Sequence, residues 1–265
     1  LSGIIVAMVT PFNDDESISF EKTDRLLDHL IVKGVTGVFI LGTNGEAYAL
    51  SEEEKFAFAK HVIEYVAGRI KVIVGTGLNS TKATINFSQK IANLKPYALS
   101  IVAPSFIAPS QEEAIHHYQH IADNVDVPIM IYNMPAKTGI NIEPQSVGIL
   151  SKHPNIIGIK DSSGNIDNLQ GYLDQRINSD FVVLAGSDSK ILQLLKMGGD
   201  GAIAATANFL TDNDLAIYKY YLKGNIDQAE KHQEAIEPLR KILHLGTTPT
   251  MLKATLNLSG LDVGP

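Results

Sequence analysis

With 265 residues, 45% of them hydrophobic and 19% charged, the chain has ordinary globular composition and enough length for one large core or two modest domains. A net charge of −7 and a pI near 5.6 argue against a nucleic-acid partner, which needs clustered Lys and Arg to displace counterions. The absence of cysteine excludes disulfides, zinc–thiolate sites and a cysteine nucleophile. The first residues, Leu1 to Ile5, lack a basic segment before an apolar stretch, and no apolar run approaches the ~20 residues that span a bilayer. The expectation is a cytoplasmic protein with no membrane partner, acting on a small molecule.

Short β-branched runs alternate with longer amphipathic stretches from end to end. Strands are expected over 4–9, 37–41, 71–74, 98–102, 128–132, 156–160, 181–184 and 201–204, with helices over 20–33, 52–67, 81–93, 111–124, 143–152, 166–174 and 190–197. Ser51 before Glu52, Glu53 and Glu54, and Ser110 before Gln111, Glu112 and Glu113, each supply a capping hydroxyl followed by carboxylates facing the positive end of the helix dipole. Eight βα units of roughly 25 residues predict an α/β fold of the (β/α)₈ (TIM) barrel type in preference to a doubly wound sheet. After residue 208 the pattern is helical only, over 214–223, 227–243 and 249–258. Residues 1–208 thus read as the barrel core, and 209–265 as its last helix plus a C-terminal helical extension of the same domain.

Barrel active sites lie where strands end and βα loops begin. The sixth expected strand ends Ile156-Ile157-Gly158-Ile159-Lys160, and by alternation Lys160 shares a face with Gly158 and Ile156. If that face points inward, poor solvation of the ammonium favours the neutral amine, a nucleophile toward carbonyls. The alternative is a strand-end lysine snorkelling to solvent. On the fifth strand Tyr132 has the same parity and stands beside Lys160, where its phenol is either a proton shuttle or strand packing. The turn Gly42-Thr43-Asn44-Gly45-Glu46 after the second strand suits a carboxylate, through converging amides and the Thr43 hydroxyl, although a structural βα turn also uses glycine.

Four segments carry a resemblance that extends from Gly3 to Pro265: Gly42-Thr43-Asn44-Gly45-Glu46, Tyr132-Asn133-Met134-Pro135-Ala136-Lys137-Thr138-Gly139, Gly158-Ile159-Lys160-Asp161-Ser162-Ser163-Gly164, and Gly201-Ala202-Ile203-Ala204-Ala205-Thr206-Ala207-Asn208. Together they resemble the dihydrodipicolinate synthase/N-acetylneuraminate lyase family of class I, Schiff-base aldolases. The resemblance implies that Lys160 forms an imine with a 2-oxo acid such as pyruvate and that Tyr132 relays protons. It also implies that Thr43 and Asn44 hold the substrate carboxylate and that Gly186 and Ile203 line the floor. It requires neither a metal nor an organic cofactor, and it points to a homo-oligomer, a dimer or tetramer. Relatives usually continue through a further short segment past Leu261-Asp262-Val263-Gly264-Pro265, which reads here as a truncated or disordered tail.

Two positions depart from the synthases of that family. Pro104-Ser105-Phe106-Ile107-Ala108-Pro109 has Phe106 where a tyrosine is offered to a neighbouring subunit, and Lys137 stands where an arginine pairs with the aldehyde's carboxylate. Lysine makes a point contact, not a bidentate fork. These departures favour cleavage or formation of 2-oxo-3-deoxy sugar acids or 4-hydroxy-2-oxoglutarate over the synthase reaction with aspartate-β-semialdehyde. Ser163, Ser187 and Asp188 are then candidate partners for substrate hydroxyls, or else caps and turn residues. A reading of another class is a non-catalytic sensor that binds a 2-oxo acid. His116 and His120, at i and i+4, have zinc-pair spacing, but no third ligand is evident and solvated histidines on an outer helix explain the run. Gly75-Thr76-Gly77 lacks the full dinucleotide-binding pattern.

Overall fold

A computed structural model of the chain describes residues 1–265. Eight parallel strands pair in chain order and close into a barrel: β1 (Gly3–Ala7), β2 (Gly37–Ile40), β3 (Lys71–Gly75), β4 (Ala98–Val102), β5 (Ile129–Asn133), β6 (Ile156–Asp161), β7 (Val182–Ala185) and β8 (Gly201–Ala204). Each was expected within one or two residues, and with the intervening helices they make the (β/α)₈ fold. The apparent strand end at Met8 and Val9 is not a ladder continuation for Val9, because its amide donates to the side chain of Asn208 at 3.2 Å.

The intervening helices are α1 (Phe20–Lys33), α2 (Glu52–Val66), α3 (Thr81–Ala92), α4 (Gln111–Asp123), α5 (Pro135–Thr138), α6 (Pro144–Leu150), α7 (Ile166–Gln175) and α8 (Ile191–Lys196). Both acidic helix starts form reciprocal caps: the Ser51 hydroxyl accepts from the Glu54 amide and the Glu54 carboxylate accepts from the Ser51 amide, and Ser110 and Glu113 repeat the arrangement. The short α5 was not anticipated. After β8 come α9 (Thr211–Leu222), α10 (Ile226–Ala235), α11 (Glu237–Leu243) and α12 (Thr248–Leu258). The single helix expected over 227–243 is two, parted at Ile236, because Pro238 has no amide to extend the α10 ladder and opens α11 instead. No helix is long and apolar enough to cross a membrane.

Internal packing divides the chain into two units, one of Leu1–Ser2 with Ile73–Ile203 and one of Gly3–Val72 with Ala204–Pro265. In the first, every β5 residue and most β6 residues are buried, so these strands read as near-continuous apolar runs covered on both faces. Tyr118 of α4 and Tyr172 of α7 are wholly buried and anchor their helices by donating to backbone carbonyls, Tyr118 to Ile101 at 3.1 Å and Tyr172 to Ile142 at 2.6 Å. In the second unit, Leu26, Leu27 and Leu30 of α1, Phe58 and Val62 of α2, and Leu252 and Leu256 of α12 are buried.

Candidate active site

The β5–β6 ladder brings the two predicted chemical groups together. Tyr132 and Lys160 are direct register partners, each only 4% exposed, and the Lys160 Nζ lies over the Tyr132 ring 4.0 Å from its centroid. The snorkelling alternative for Lys160 is therefore set aside. A cation held over a ring face at this distance makes a contact worth roughly 0.5–2 kcal/mol.

Register extends this face across neighbouring strands. Lys160 pairs with Leu184, and Leu184 with Gly201, so Gly186 and Ile203, each two residues further on, lie on the same side. Ile203 is fully buried. Gly186 is required sterically: a Cβ there would stand 2.9 Å from Lys160 Cε, 2.9 Å from the Asp161 carbonyl oxygen and 2.2 Å from Ser162 Oγ. Gly158 serves a different approach, that of β6 to β7, where a Cβ would meet the Val182 backbone oxygen at 2.5 Å. Of the two glycines, Gly186 is the one that keeps space open beside the Lys160 side chain.

Lys137 is exposed on α5, where its amide bonds to the Met134 carbonyl at 2.9 Å. Phe106 is 96% exposed and holds a left-handed backbone at φ 73°, a conformation few non-glycine residues adopt. Of the candidate hydroxyl binders, Ser163 is committed elsewhere. It donates to Asp161 at 2.6 Å and accepts from the amide of Asn165 and the side chain of Asn168. Ser187 and Ser189 face each other at 3.3 Å, and Asp188 is buried.

In the second unit, the Gly42–Glu46 turn leaves β2 with Thr43 and Asn44 half-buried. Its glycines serve close approach: a Cβ on Gly42 would collide with the Phe39 ring at 2.5 Å, and one on Gly45 would press on the Met8 carbonyl at 3.3 Å. Left-handed conformations fall instead on Leu41 and Glu46, at φ 55° and 53°. The Thr10 hydroxyl donates to the Gly45 carbonyl at 2.7 Å, and the amides of Glu46 and Ala47 return to the carbonyls of Thr43 and Gly42. Glu46 meets Lys253 of α12 at 2.6 Å, and the Lys253 ammonium, 2% exposed, also lies 3.9 Å from the centroid of the Phe12 ring. Burial pulls the Lys253 pKa down while Glu46 opposes that shift. Nothing in the sequence near residue 253 suggested this role.

The histidine run differs from expectation. His117 is buried, with Nδ1 2.8 Å from the Thr81 hydroxyl and no partner for Nε2, and burial holds its pKa down at about 4. No group of three or more His, Asp or Glu side chains is placed to hold a metal ion.

Known proteins resemble the chain along its whole length. The model of the dihydrodipicolinate synthetase family matches residues 1–265. The 4-hydroxy-tetrahydrodipicolinate synthase 1 of Halalkalibacterium halodurans is 35% identical over 264 residues, which is 100% of this chain and 89% of that protein. The 4-hydroxy-tetrahydrodipicolinate synthase of Methanosphaerula palustris is 36% identical over 265 residues, covering 99% and 91%. Among solved structures, the dihydrodipicolinate synthase DapA-2 of Bacillus anthracis superposes with a TM-score of 0.96 at 33% identity, over 99% of this chain and 90% of that one. YagE, a prophage protein of E. coli K12 assigned to the dihydrodipicolinic acid synthase family and solved with pyruvate, gives 0.96 at 31% identity, covering 100% and 90%. With a parallel eight-stranded barrel, a lysine and a tyrosine paired at the ends of β5 and β6, and relatives matching over nearly their whole length, the chain belongs to the dihydrodipicolinate synthetase family, a family of lyases.

Proposed function

We propose that this protein is a class I lyase that condenses pyruvate, held as an imine on Lys160, with an aldehyde. The observation that carries the reading is the buried Tyr132–Lys160 pair, with Nζ 4.0 Å from the ring centroid. The neutral Lys160 amine adds to C2 of the 2-oxo acid, and loss of water leaves a protonated imine. Positive nitrogen at C2 acts as an electron sink, so a proton leaves C3 and an enamine forms. The enamine carbon then attacks the aldehyde carbon, whose oxygen takes up a proton, and water releases the product and restores the amine. Every proton transfer needs a donor or acceptor close to Nζ, C3 or the aldehyde oxygen, and the Tyr132 phenol is the group assigned to that relay. By the family resemblance, the turn after β2, with Thr43 and Asn44, is assigned to the pyruvate carboxylate. Gly186 and Ile203 form the floor.

For the aldehyde, the synthase names of the curated relatives weigh more than the two departures seen in the sequence. The preferred reading is condensation of pyruvate with aspartate-β-semialdehyde, and this reverses the order drawn from Phe106 and Lys137 alone. A second reading, addition to a hydroxylated aldehyde or cleavage of a 2-oxo-3-deoxy acid, keeps a specific basis: the solvent-exposed Phe106 has no hydroxyl and Lys137 has no planar fork. The decisive experiment is pyruvate with borohydride followed by peptide mass analysis, expected to place one reduced pyruvate on Lys160. Label on another lysine, or none, removes the mechanism and leaves the sensor reading. Comparing kcat/KM for the semialdehyde, glyceraldehyde, 2-oxo-3-deoxygluconate and 4-hydroxy-2-oxoglutarate then separates the two aldehyde readings.

A further inference from the structure

One residue beyond Tyr132 and Lys160, β5 and β6 carry Asn133 and Asp161, which are also register partners. By alternation they face away from the Tyr132–Lys160 side. Both are buried, at 0% and 1% exposure. The Asn133 side-chain amide donates to Asp161 Oδ1 at 2.6 Å and is also within bonding distance of Asn141 Oδ1 and Tyr172 Oη, while its oxygen accepts from the Ile142 amide at 3.0 Å. The second Asp161 oxygen accepts from Ser163 Oγ at 2.6 Å. Asn141 and Asn168 bond reciprocally, and Tyr172 closes the group onto the Ile142 carbonyl. The carboxyl thus sits inside a polar knot of hydroxyls and amides, and burial pushes its pKa upward.

We propose that Asp161 and Asn133 are positioning residues for the Tyr132–Lys160 pair, a side-chain bridge behind the two strands that sets the separation of phenol and amine in front of them. The argument is mechanical. Tyr132 and Asn133 are consecutive on β5, and Lys160 and Asp161 on β6, so turning either strand about its axis moves one front and one rear side chain together. A bridge drawn to 2.6 Å at Asn133–Asp161 and again at Ser163–Asp161 restrains both strands at the level of the reacting groups. Backbone pairing alone fixes register but leaves strand twist soft, and displacement of a reacting group by about 1 Å costs on the order of 10²-fold in rate.

This inference rests on the proposed imine mechanism, and the test separates the two. Wild-type protein is first trapped with pyruvate and borohydride, and absence of label on Lys160 defeats the mechanism itself. Given that label, Asp161→Ala and Asn133→Ala are expected to trap one pyruvate per chain, with KM for pyruvate within about 3-fold, but to lose about 10- to 100-fold in kcat. Asp161→Asn keeps an acceptor for Asn133 but takes the acceptor from the Ser163 hydroxyl, whose oxygen already accepts from Asn165 and Asn168, so it is expected to recover kcat only in part, to within about 10-fold of wild type. The double variant falls no further than the worse single one, since both remove the same bridge. Should Asp161→Ala fail to fold, Ser163→Ala removes only one of the two bonds and is expected to lower kcat about 3- to 10-fold with unchanged KM. Folded variants with wild-type kcat overturn the inference. So does a loss of kcat that only tracks a smaller fraction of trappable Lys160, as a purely structural bridge would give.

Discussion

Gly186→Ala tests the floor of the candidate site with a single carbon. The added Cβ would stand 2.2 Å from Ser162 Oγ, 2.9 Å from the Asp161 carbonyl oxygen and 2.9 Å from Lys160 Cε. The serine hydroxyl can rotate away at small cost. The carbonyl cannot, because it accepts the Gly186 amide at 2.7 Å and belongs to the β6–β7 ladder. The backbone there keeps part of the strain and the rest falls on Lys160, whose side chain must retreat by roughly 0.6–1.1 Å to reach ordinary van der Waals separation near 3.5–4.0 Å. Overpacking of this kind costs about 1–3 kcal/mol in stability. The displacement of Nζ against its partner is expected to slow borohydride trapping by about 10-fold or more. The assay is the rate of label incorporation at saturating pyruvate, run beside a thermal melt. A variant that traps at the wild-type rate with an unchanged melting temperature would refute the reasoning, since the contact with Lys160 would then be relieved without consequence.

Three further outcomes follow from the same geometry. Tyr132→Phe keeps the ring face beside Nζ and loses only the hydroxyl, so imine trapping is expected to persist while turnover falls roughly 10²–10⁴-fold; Tyr132→Leu should impair both, and equal behaviour of the two variants would deny the phenol a separate role. His117, held at about 4 against 6.5 in the unfolded chain, binds its proton preferentially when unfolded, so stability is expected to fall as pH drops from 6.5 toward 4, by about 3 kcal/mol in total. Urea titrations across that range should show the slope, and His117→Gln should flatten it. Lys253→Met strands the Glu46 carboxylate, which at 23% side-chain exposure is partly solvated, and should destabilise by about 2–3 kcal/mol, with part recovered in Lys253→Met/Glu46→Gln. An unchanged denaturation midpoint in the single variant would mean that the pair contributes nothing.

The architecture was legible because apolar runs of four to six residues recur between amphipathic stretches with clear starts, and the pattern failed only where local chemistry overrode period. Val9 continues the apolar run of β1 but gives its amide to Asn208, a partner distant in the chain. Residues 227–243 keep a helical pattern across Pro238, yet the proline ends one helix and starts another. The glycines of the Gly42–Glu46 turn were visible, but their purpose was not. Conformational freedom is used at Leu41 and Glu46, whereas Gly42 and Gly45 make room for Phe39 and Met8, and close approach depends on side chains the local sequence does not place.

The site itself divides along the same line. Tyr132 and Lys160 could be paired from sequence because both end apolar strands and period two puts them on the inner face. Their successors obey the same rule with the opposite sign. Asn133 and Asp161 read as ordinary polar residues beginning a loop, and Ser163 as a turn residue or substrate ligand, because nothing local says that a strand continues one residue past its apolar run. Extending the alternation by that one residue sends Asn133 and Asp161 to the outer face, where burial depends on what covers them. What covers them is α7, through Asn168 and Tyr172, two polar side chains on the buried stripe of an amphipathic helix. A buried polar group requires a partner, so a polar residue just beyond a strand and polar residues inside the apolar stripe of the following helix imply one another. Read jointly, Asp161, Asn168 and Tyr172 supply the signal that none of them carries separately, and they locate a polar layer immediately behind the proposed chemistry.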